Sequence, residues 1–263
     1  MIALVAGGTG GLGGAICRAL SNDGHVVAIG YRTRRDEAEQ LARELGGEDR
    51  RAFTVALEVT DALGTQAAVE RVADMAGGLD ILVNAAAHNV DGLIGDVDPV
   101  DVDRMHAVNV TGTLNCIRAA LPFLLGSAQP RIVNFSSVVA TRAEPGMAVY
   151  AETKGAVEAL TRALAVELGP KRITVNALAP GYIDAGLGRK PVAAAGDLLR
   201  TLVPLRRAGH AEEVAAVVAF LASAASGYVS GAVIPVDGGL LAGSRFLGPR
   251  TTVARSPGEE RWT

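Results

Sequence analysis

A glycine-rich loop near the start of the chain constrains its fold more than any other segment. The loop follows a continuous apolar run, Ile2 to Ala6, and precedes a segment with helical spacing from about Ala15 to Asn22. In a strand, glycine loop and helix of this kind, backbone N–H groups and the helix N-terminus can approach a pyrophosphate closely. The residues that we predict to contact such a ligand are Gly7, Thr9, Gly10, Gly11, Leu12 and Gly13.

A second segment, Arg131 to Lys154, carries residues with recognisable chemistry. It begins with a short apolar strand and continues through a loop into a segment of helical spacing, Ala148 to Leu168. Tyr150 and Lys154 are four residues apart and therefore share a helix face. An ammonium group one turn away favours the phenolate and lowers the tyrosine pKa from about 10. Ser137, which follows the strand, could hold a carbonyl oxygen on which charge develops.

The same Tyr-x-x-x-Lys spacing is common on solvated helix faces, where it has no catalytic role. The use of basic residues in this chain argues against that interpretation. Arginine is used almost throughout, and the only lysines are Lys154, Lys171 and Lys190. A lysine at this position therefore favours a specific role over general solubility.

Ser137, Tyr150 and Lys154 at these spacings resemble the catalytic signature of the short-chain dehydrogenase/reductase family. The resemblance runs from residue 2 to about residue 240, with the motifs in the expected order. It implies a three-layer α/β/α fold of the Rossmann type, with a doubly wound parallel sheet in a single domain. It also implies an oxidoreductase in which Asn109, in the segment Asn-Val-Thr-Gly, holds a water of the proton relay.

The glycine loop leaves two registers open, because six of eight consecutive positions are glycine. The spacing Gly7, Gly11, Gly13 is similar to that of the short, single-domain members of the family. The spacing Gly7, Gly10, Gly13 is similar to that of the extended members, which carry a separate substrate domain. A length of 263 residues favours the short type, since little chain remains for a second domain.

The segment after the second predicted strand bears on the choice of cofactor. A dinucleotide fold that prefers NAD places an acid about 20 residues after the glycines, where it binds ribose hydroxyls. This chain has Tyr31, Arg32 and Thr33 in that region, and a guanidinium can bind a phosphate with two hydrogen bonds. We therefore expect NADPH/NADP+ rather than NADH, with Arg34 or Arg35 assisting. A solvated, basic helix start is the alternative explanation of these arginines.

The resemblance implies further cofactor contacts at the ends of later strands. Together with Tyr150 and Lys154 they are Glu58, Val59, Asn84, Ala85, Ala86, Pro180, Gly181 and Ile183. Four positions depart from the family pattern: Glu58 replaces an Asp, Ala85 an Asn, Ala87 a Gly and Ala185 a Thr. His88 follows the altered loop and either lines the substrate pocket or is an ordinary loop histidine.

The domain organisation follows from the extent of the motifs. We predict one cofactor-binding domain over residues 1–240, in which a Gly- and Ala-rich segment at about 184–204 resembles the mobile substrate lid of the family. Residues 241–263 form a tail without periodicity. The tail is either disordered or docked on a partner subunit.

The composition excludes several classes of protein. A hydrophobic content of 49% argues against a disordered chain, and a net charge of −3 argues against a nucleic-acid partner. No apolar run reaches membrane-spanning length. Cys17 and Cys116 lie in separate predicted helices without metal-ligand spacing, so we predict buried thiols and no metal site. With no leader-like segment, we expect a cytoplasmic protein.

The resemblance implies reduction of a ketone, such as a 3-oxoacyl group or a secondary-metabolite carbonyl, to a secondary alcohol. The segments Ile173 to Asn176 and Val236 to Gly239 are most similar to 3-oxoacyl-carrier-protein reductases. Whether the substrate is carrier-bound stays open, because Lys171 and Arg172 fit a basic docking surface but residues 126–128 do not. Two alternatives are an alcohol dehydrogenase working in the oxidative direction and a non-catalytic dinucleotide-binding protein.

Two predicted helices bear on assembly, and the resemblance implies a homotetramer built on them. The segments Asn109 to Leu125 and Tyr150 to Leu168 have apolar residues on more than one face, and a sheet covers only one. The apolar residues concerned are Val110, Leu114, Ile117, Val157, Leu160 and Val166. The alternative is that a neighbouring helix of the same chain covers the second face.

Overall fold

In the computed structural model, which describes residues 1–46 and 51–243, apolar segments form one seven-stranded sheet. The strands are β1 (Ile2–Ala6), β2 (Val26–Tyr31), β3 (Ala52–Ala56), β4 (Ile81–Asn84), β5 (Arg131–Phe135), β6 (Thr174–Pro180) and β7 (Val233–Val236). Their spatial order is β3-β2-β1-β4-β5-β6-β7, and each neighbouring pair is parallel. The order reverses between β1 and β4, which leaves a crevice at the carboxyl ends of these strands.

Helices connect the strands in chain order. They are α1 (Gly11–Asn22), α2 (Arg35–Gly46), α3 (Ala62–Ala76), α4 (Pro99–His106), α5 (Gly112–Leu124), α6 (Ala148–Leu168), α7 (Arg189–Ala195), α8 (Leu199–Leu202) and α9 (Ala211–Ala222). A π-helical turn, Ala107–Thr111, joins α4 to α5. The bounds of α6 agree with the helix predicted from the spacing of its apolar residues.

The five inner strands are buried on both faces, whereas the edge strands β3 and β7 are only partly buried. Successive side chains of a strand point to opposite sides of the sheet. Ala3 and Val5 belong to a core packed with α1, α2 and α9, whereas Leu4 and Ala6 belong to a core packed with α3, α5 and α6. This arrangement confirms the three-layer α/β/α fold. Cys17 and Cys116 are buried thiols, one in each core, and burial raises the pKa of each to about 12.

The first helix begins earlier than the sequence predicts. Helix α1 begins at Gly11 rather than near Ala15, so its first turn contains several glycines despite their poor helix propensity. The segment at 184–204 contains the short helices α7 and α8. Its mobility and the domain limit at residue 240 stay predictions, and residues 244–263 of the predicted tail lie outside the described residues. Among the described helices, none is both long and apolar enough to cross a membrane.

Candidate active site

A cavity of about 600 Å³ lies at the carboxyl ends of the strands and extends from the glycine loop to α6. Ser137, Tyr150 and Lys154 line it together, although Ser137 comes from the end of β5 and the other two from α6. The predicted cofactor-binding residues in its wall are Gly7, Thr9, Gly10, Gly11, Leu12, Gly13, Arg32, Thr33, Glu58, Val59, Ala85, Ala86, Pro180, Gly181 and Ile183. The structure therefore brings residues from six separate loops and from α6 to one site.

Three predicted site residues lie behind this wall instead of in it: Tyr31, Asn84 and Asn109. The Tyr31 side chain packs against the core on the α1 side of the sheet. The Asn84 Nδ2 atom donates a hydrogen bond of 2.9 Å to the Oδ1 atom of Asn134 in β5. The predicted contacts of Tyr31 and Asn84 with the cofactor stay predictions.

The close packing of the glycine loop decides its register. Gly7 has φ +80°, and a Cβ atom there would lie 2.8 Å from the Ala86 backbone nitrogen. A Cβ at Gly13 would collide with the Gly7 carbonyl oxygen, and one at Gly11 would collide with the backbone of Gly186. Backbone atoms thus exclude a side chain at positions 7, 11 and 13, which is the register of the short, single-domain type.

The N-terminus of α1 opens into the same cavity. The N-cap residue is Gly10, which has no side chain to accept a hydrogen bond from the first turn. Within the described residues, that first turn contains no acidic residue. The first N–H groups of a helix have no intrahelical acceptor, and the helix dipole favours an anion beside them. The loop and the helix together fit the pyrophosphate of a dinucleotide.

The cationic side of the cavity is formed by Arg32 and Arg34. The Arg32 Nε atom lies 3.8 Å from Oε2 of Glu58, and both side chains are about half exposed. Arg35 is directed away, since it pairs with Glu39 at 2.7 Å and does not line the cavity. Of the two assisting arginines considered from the sequence, the structure therefore places only Arg34 at the site.

Lys154 is one of the most deeply buried side chains of the protein, with 2% of its surface exposed. Its Nζ atom donates a hydrogen bond of 2.9 Å to the Phe135 carbonyl oxygen and lies 5.5 Å from the centre of the Tyr150 ring. Ser137 begins the turn that follows β5, and its Oγ atom accepts a long hydrogen bond of 3.4 Å from the Val139 N–H. The end of β5 therefore positions both Lys154 and Ser137.

Burial shifts the pKa values of both Tyr150 and Lys154, and the shift for Tyr150 is opposite to the one expected from the sequence. Burial of the hydroxyl, helped by the charge of Asp91, raises the pKa of Tyr150 to about 12. Burial also lowers the pKa of Lys154 to about 8. The expectation that the Tyr150 pKa is lowered is therefore wrong for this structure, because burial disfavours the phenolate. At neutral pH the tyrosine is protonated and most of the lysine is charged.

Asn109 holds the loop that follows β4. Its Oδ1 atom accepts from the His88 N–H at 2.8 Å, and its Nδ2 atom donates to the His88 carbonyl at 2.9 Å and to Thr153 Oγ1 at 3.0 Å. Thr153 in turn donates to the Tyr150 carbonyl at 2.8 Å. This network places His88 in the cavity wall, and its part in substrate binding stays a prediction. A role for Asn109 in holding a water stays a prediction.

Comparison with known proteins agrees with this geometry. A family model described as enoyl-(acyl carrier protein) reductase matches residues 6–241. The 3-oxoacyl-(acyl-carrier-protein) reductase of Staphylococcus aureus is 35% identical over 238 residues, which cover 90% of this chain and 97% of the relative. This chain belongs to the short-chain dehydrogenase/reductase family.

Solved structures of the short-chain dehydrogenase/reductase family superpose closely. A gluconate 5-dehydrogenase from Burkholderia cenocepacia, in complex with NADP and tartrate, has a TM-score of 0.86 at 32% identity and covers 92% of this chain and 95% of its own. A short-chain dehydrogenase from the same organism, in complex with NADP, has a TM-score of 0.86 at 36% identity, with coverage of 91% and 97%. As a family member, the protein is an oxidoreductase.

Sequence reasoning missed the part of the cavity wall that comes from loops. The residues concerned include Asn89, Val138, Val139, Glu144, Met147, Tyr182, Leu187 and Pro191. In this short-chain dehydrogenase, Tyr182 donates a hydrogen bond of 3.0 Å to the Glu144 carboxylate across the cavity wall. Only the nearness of Glu144 and Tyr182 to recognised motifs could have drawn attention to them, because loops carry no periodicity.

Proposed function

We propose that the protein reduces a ketone, either a 3-oxoacyl group or a secondary-metabolite carbonyl, to a secondary alcohol with NADPH. The observation that carries the proposal is the convergence of Ser137, Tyr150 and Lys154 on the cavity that also contains the glycine loop. The Staphylococcus aureus relative, a 3-oxoacyl reductase, supports the substrate class. The non-catalytic alternative has no support from this arrangement.

The cofactor is NADP(H). The tight backbone packing at Gly7 and Gly13 and the uncapped start of α1 fit its pyrophosphate. Arg32, with Arg34 beside it, would hold the phosphate on the adenosine ribose through charge-assisted hydrogen bonds. The two Burkholderia structures bound to NADP support this choice. When bound, the cofactor supplies the hydride, while the protein supplies position and charge.

The protein residues would act on the carbonyl oxygen. Ser137 would donate a hydrogen bond that orients the ketone. Tyr150 would donate the proton, since burial keeps its hydroxyl protonated at neutral pH. Lys154 would stabilise the phenolate that remains, because its ammonium is mostly charged below a pKa of about 8. In the reverse reaction, alcohol oxidation, Tyr150 would begin as the phenolate and accept the proton.

A screen of ketones for NADPH oxidation tests the proposal most simply. The panel contains 3-oxoacyl thioesters, simple neutral ketones and bulkier cyclic ketones, and product alcohols are identified by mass spectrometry. We expect stoichiometric conversion of at least one ketone. Tight NADPH binding without turnover of any ketone, or of any alcohol with NADP+, would support the non-catalytic alternative instead.

We also propose a homotetramer that uses α5 and α6. Ile117 and Val157 are buried within the same chain and so need no partner subunit to cover them. Ala159, Ala163 and Val166 remain exposed on one face of α6, and Val166 is 80% exposed. Small residues in this spacing let a partner helix approach closely, and symmetric pairing closes the assembly.

Sedimentation at micromolar concentration measures the assembly directly. The expected species has four times the chain mass of 26.9 kDa. Substituting Val166→Asp should shift the population towards smaller species, since a buried charge without a partner weakens an interface. A single monomeric species of the wild-type protein would rule the assembly out.

A cytoplasmic location is a further proposal. It rests on the sequence argument that Cys17 and Cys116 are thiols in a reducing compartment. Fractionation of cells that express the protein would test it.

A further inference from the structure

The substrate end of the cavity has an unusual distribution of charge. Glu144 lies in the loop between Ser137 and α6, and its side chain lines the cavity. Among the described residues, the carboxylate forms no ion pair with Arg, Lys or His. A carboxylate in the cavity wall without a cation beside it presents its charge to the ligand.

Tyr182 fixes the direction of this carboxylate. Its hydroxyl donates a hydrogen bond of 3.0 Å to the Glu144 Oε1 atom. The Tyr182 ring packs on the small core of Val138, Val139 and Leu240, against which Tyr150 also packs. The pair therefore lies in the same cluster as the tyrosine of the catalytic signature, and Glu144 Oε2 keeps its capacity to accept from a ligand.

A second carboxylate adds to the negative character of this end. Asp91 is close enough to help burial raise the pKa of Tyr150. Of the cations in the described cavity wall, Arg32 and Arg34 follow β2, whereas Lys154 lies 5.5 Å from the centre of the Tyr150 ring and is hydrogen-bonded to the Phe135 carbonyl. Among the described residues, Arg142 acts on Tyr182 as the neighbouring cation, but it is not part of the cavity wall.

We propose that Glu144 is a specificity-determining residue, whose carboxylate accepts a hydrogen bond from a substrate hydroxyl and repels a substrate carboxylate. Among ketones, the site would therefore favour a neutral one that bears a hydroxyl group near the carbonyl over a keto acid. Tyr182 is a positioning residue that acts through Glu144. This inference rests on the proposed ketone reduction, and it names the substrate preference of the same site.

Two ketones of similar size test the preference. One is 4-hydroxy-2-butanone, a neutral hydroxyketone, and the other is acetoacetate, which has a carboxylate in place of the hydroxymethyl group. A fixed negative charge in a partly exposed site should give the wild-type enzyme a roughly tenfold or larger preference in kcat/KM for the hydroxyketone. Glu144→Gln should reduce this ratio by about tenfold, mainly by improving the use of acetoacetate.

Two further variants serve as matched controls. Glu167→Gln removes the same charge from an exposed position of α6 outside the cavity and should leave the ratio unchanged. Tyr182→Phe keeps the ring but frees the carboxylate, and should give a ratio between those of the wild type and Glu144→Gln. An unchanged ratio in both Glu144→Gln and Tyr182→Phe would overturn the inference.

A binding measurement separates this inference from the proposed function. With NADP+ present neither ketone can be reduced, so a ligand-observed NMR titration reports affinity alone. A binding preference that disappears in Glu144→Gln supports the inference even if the wild-type enzyme turns over neither ketone, in which case only the proposed reaction fails. Turnover of neutral ketones without a Glu144-dependent preference leaves the reaction standing and refutes the specificity.

Discussion

Replacing Lys154 with Met should make the protein more stable at neutral pH, although it removes a residue of the catalytic signature. Lys154 is 2% exposed, and its ammonium has one hydrogen bond, to the Phe135 carbonyl. Burial favours the neutral amine and lowers the pKa from 10.5 to about 8. Below pH 8 the charged form must be buried when the chain folds, which destabilises the folded state. A methionine of similar shape has no charge to desolvate.

The magnitude follows from the pKa difference. A change from 10.5 to about 8 corresponds to about 3 kcal/mol of unfavourable free energy at pH 7. The lost hydrogen bond leaves the Phe135 carbonyl without that donor and costs about 1 kcal/mol. We therefore expect Lys154→Met to raise the free energy of unfolding by about 2 kcal/mol at pH 7.

The pH dependence of the free energy of unfolding tests the direction of this effect separately. Between pH 8 and pH 10.5 the unfolded lysine binds a proton that the folded lysine does not, so wild-type stability rises with pH in this window. The advantage of Lys154→Met should therefore shrink to almost nothing by pH 10. Urea unfolding of cofactor-free protein at both pH values, at one protein concentration, measures the difference.

Lys171→Met, at an exposed position, is the matched control and should show neither effect. A variant that is less stable than wild type at pH 7, or a difference that is independent of pH, would refute the reasoning.

Two further substitutions test the cofactor end of the site. Arg32→Ala should weaken NADPH binding by about 1.5–3 kcal/mol, or about 10- to 150-fold, and leave NADH almost unchanged, because only NADPH has the ribose phosphate. Arg35→Ala, outside the cavity, should change neither affinity; equal losses for the two cofactors in Arg32→Ala would mean that Arg32 does not contact the phosphate. Gly13→Ala should abolish cofactor binding or folding, since its methyl would collide with the Gly7 carbonyl, whereas Gly14→Ala should bind normally because its nearest neighbouring atom would be 3.7 Å away. Calorimetric titration and circular dichroism measure both, and normal NADPH affinity in Gly13→Ala would contradict the packing argument.

The fold could be predicted well because its elements leave strong local patterns. The apolar run at Ile2–Ala6 and the helical spacing at Ala148–Leu168 appear in the structure with the expected bounds. The register of the glycine loop could not be predicted from those residues. It depends on Gly11 packing against Gly186, which is far away along the chain and lies in a segment without a clear pattern.

The site was predictable where residues follow strand ends and helix faces, and less so elsewhere. The four-residue spacing is enough to predict that Tyr150 and Lys154 share a helix face. It does not predict the hydrogen bond from Lys154 to the Phe135 carbonyl, which fixes the position of the lysine side chain. The direction of the Tyr150 pKa also depends on burial, which spacing does not reveal. Glu144 and Tyr182 meet only because two loops converge at the cavity, and no periodicity signals that meeting.

In the proposed reaction, Tyr150 donates the proton to a ketone while NADPH is bound. Tyr150→Phe keeps the ring that packs in the cavity and removes the hydroxyl alone. With a ketone from the screen, we expect this variant to lose on the order of 10²–10⁴-fold in kcat, because a positioned general acid contributes about that much. Its affinity for NADPH, measured by titration in parallel, should fall by no more than about tenfold, since the variant removes at most one hydrogen bond. Turnover close to that of the wild-type enzyme, with NADPH bound normally, would contradict the account.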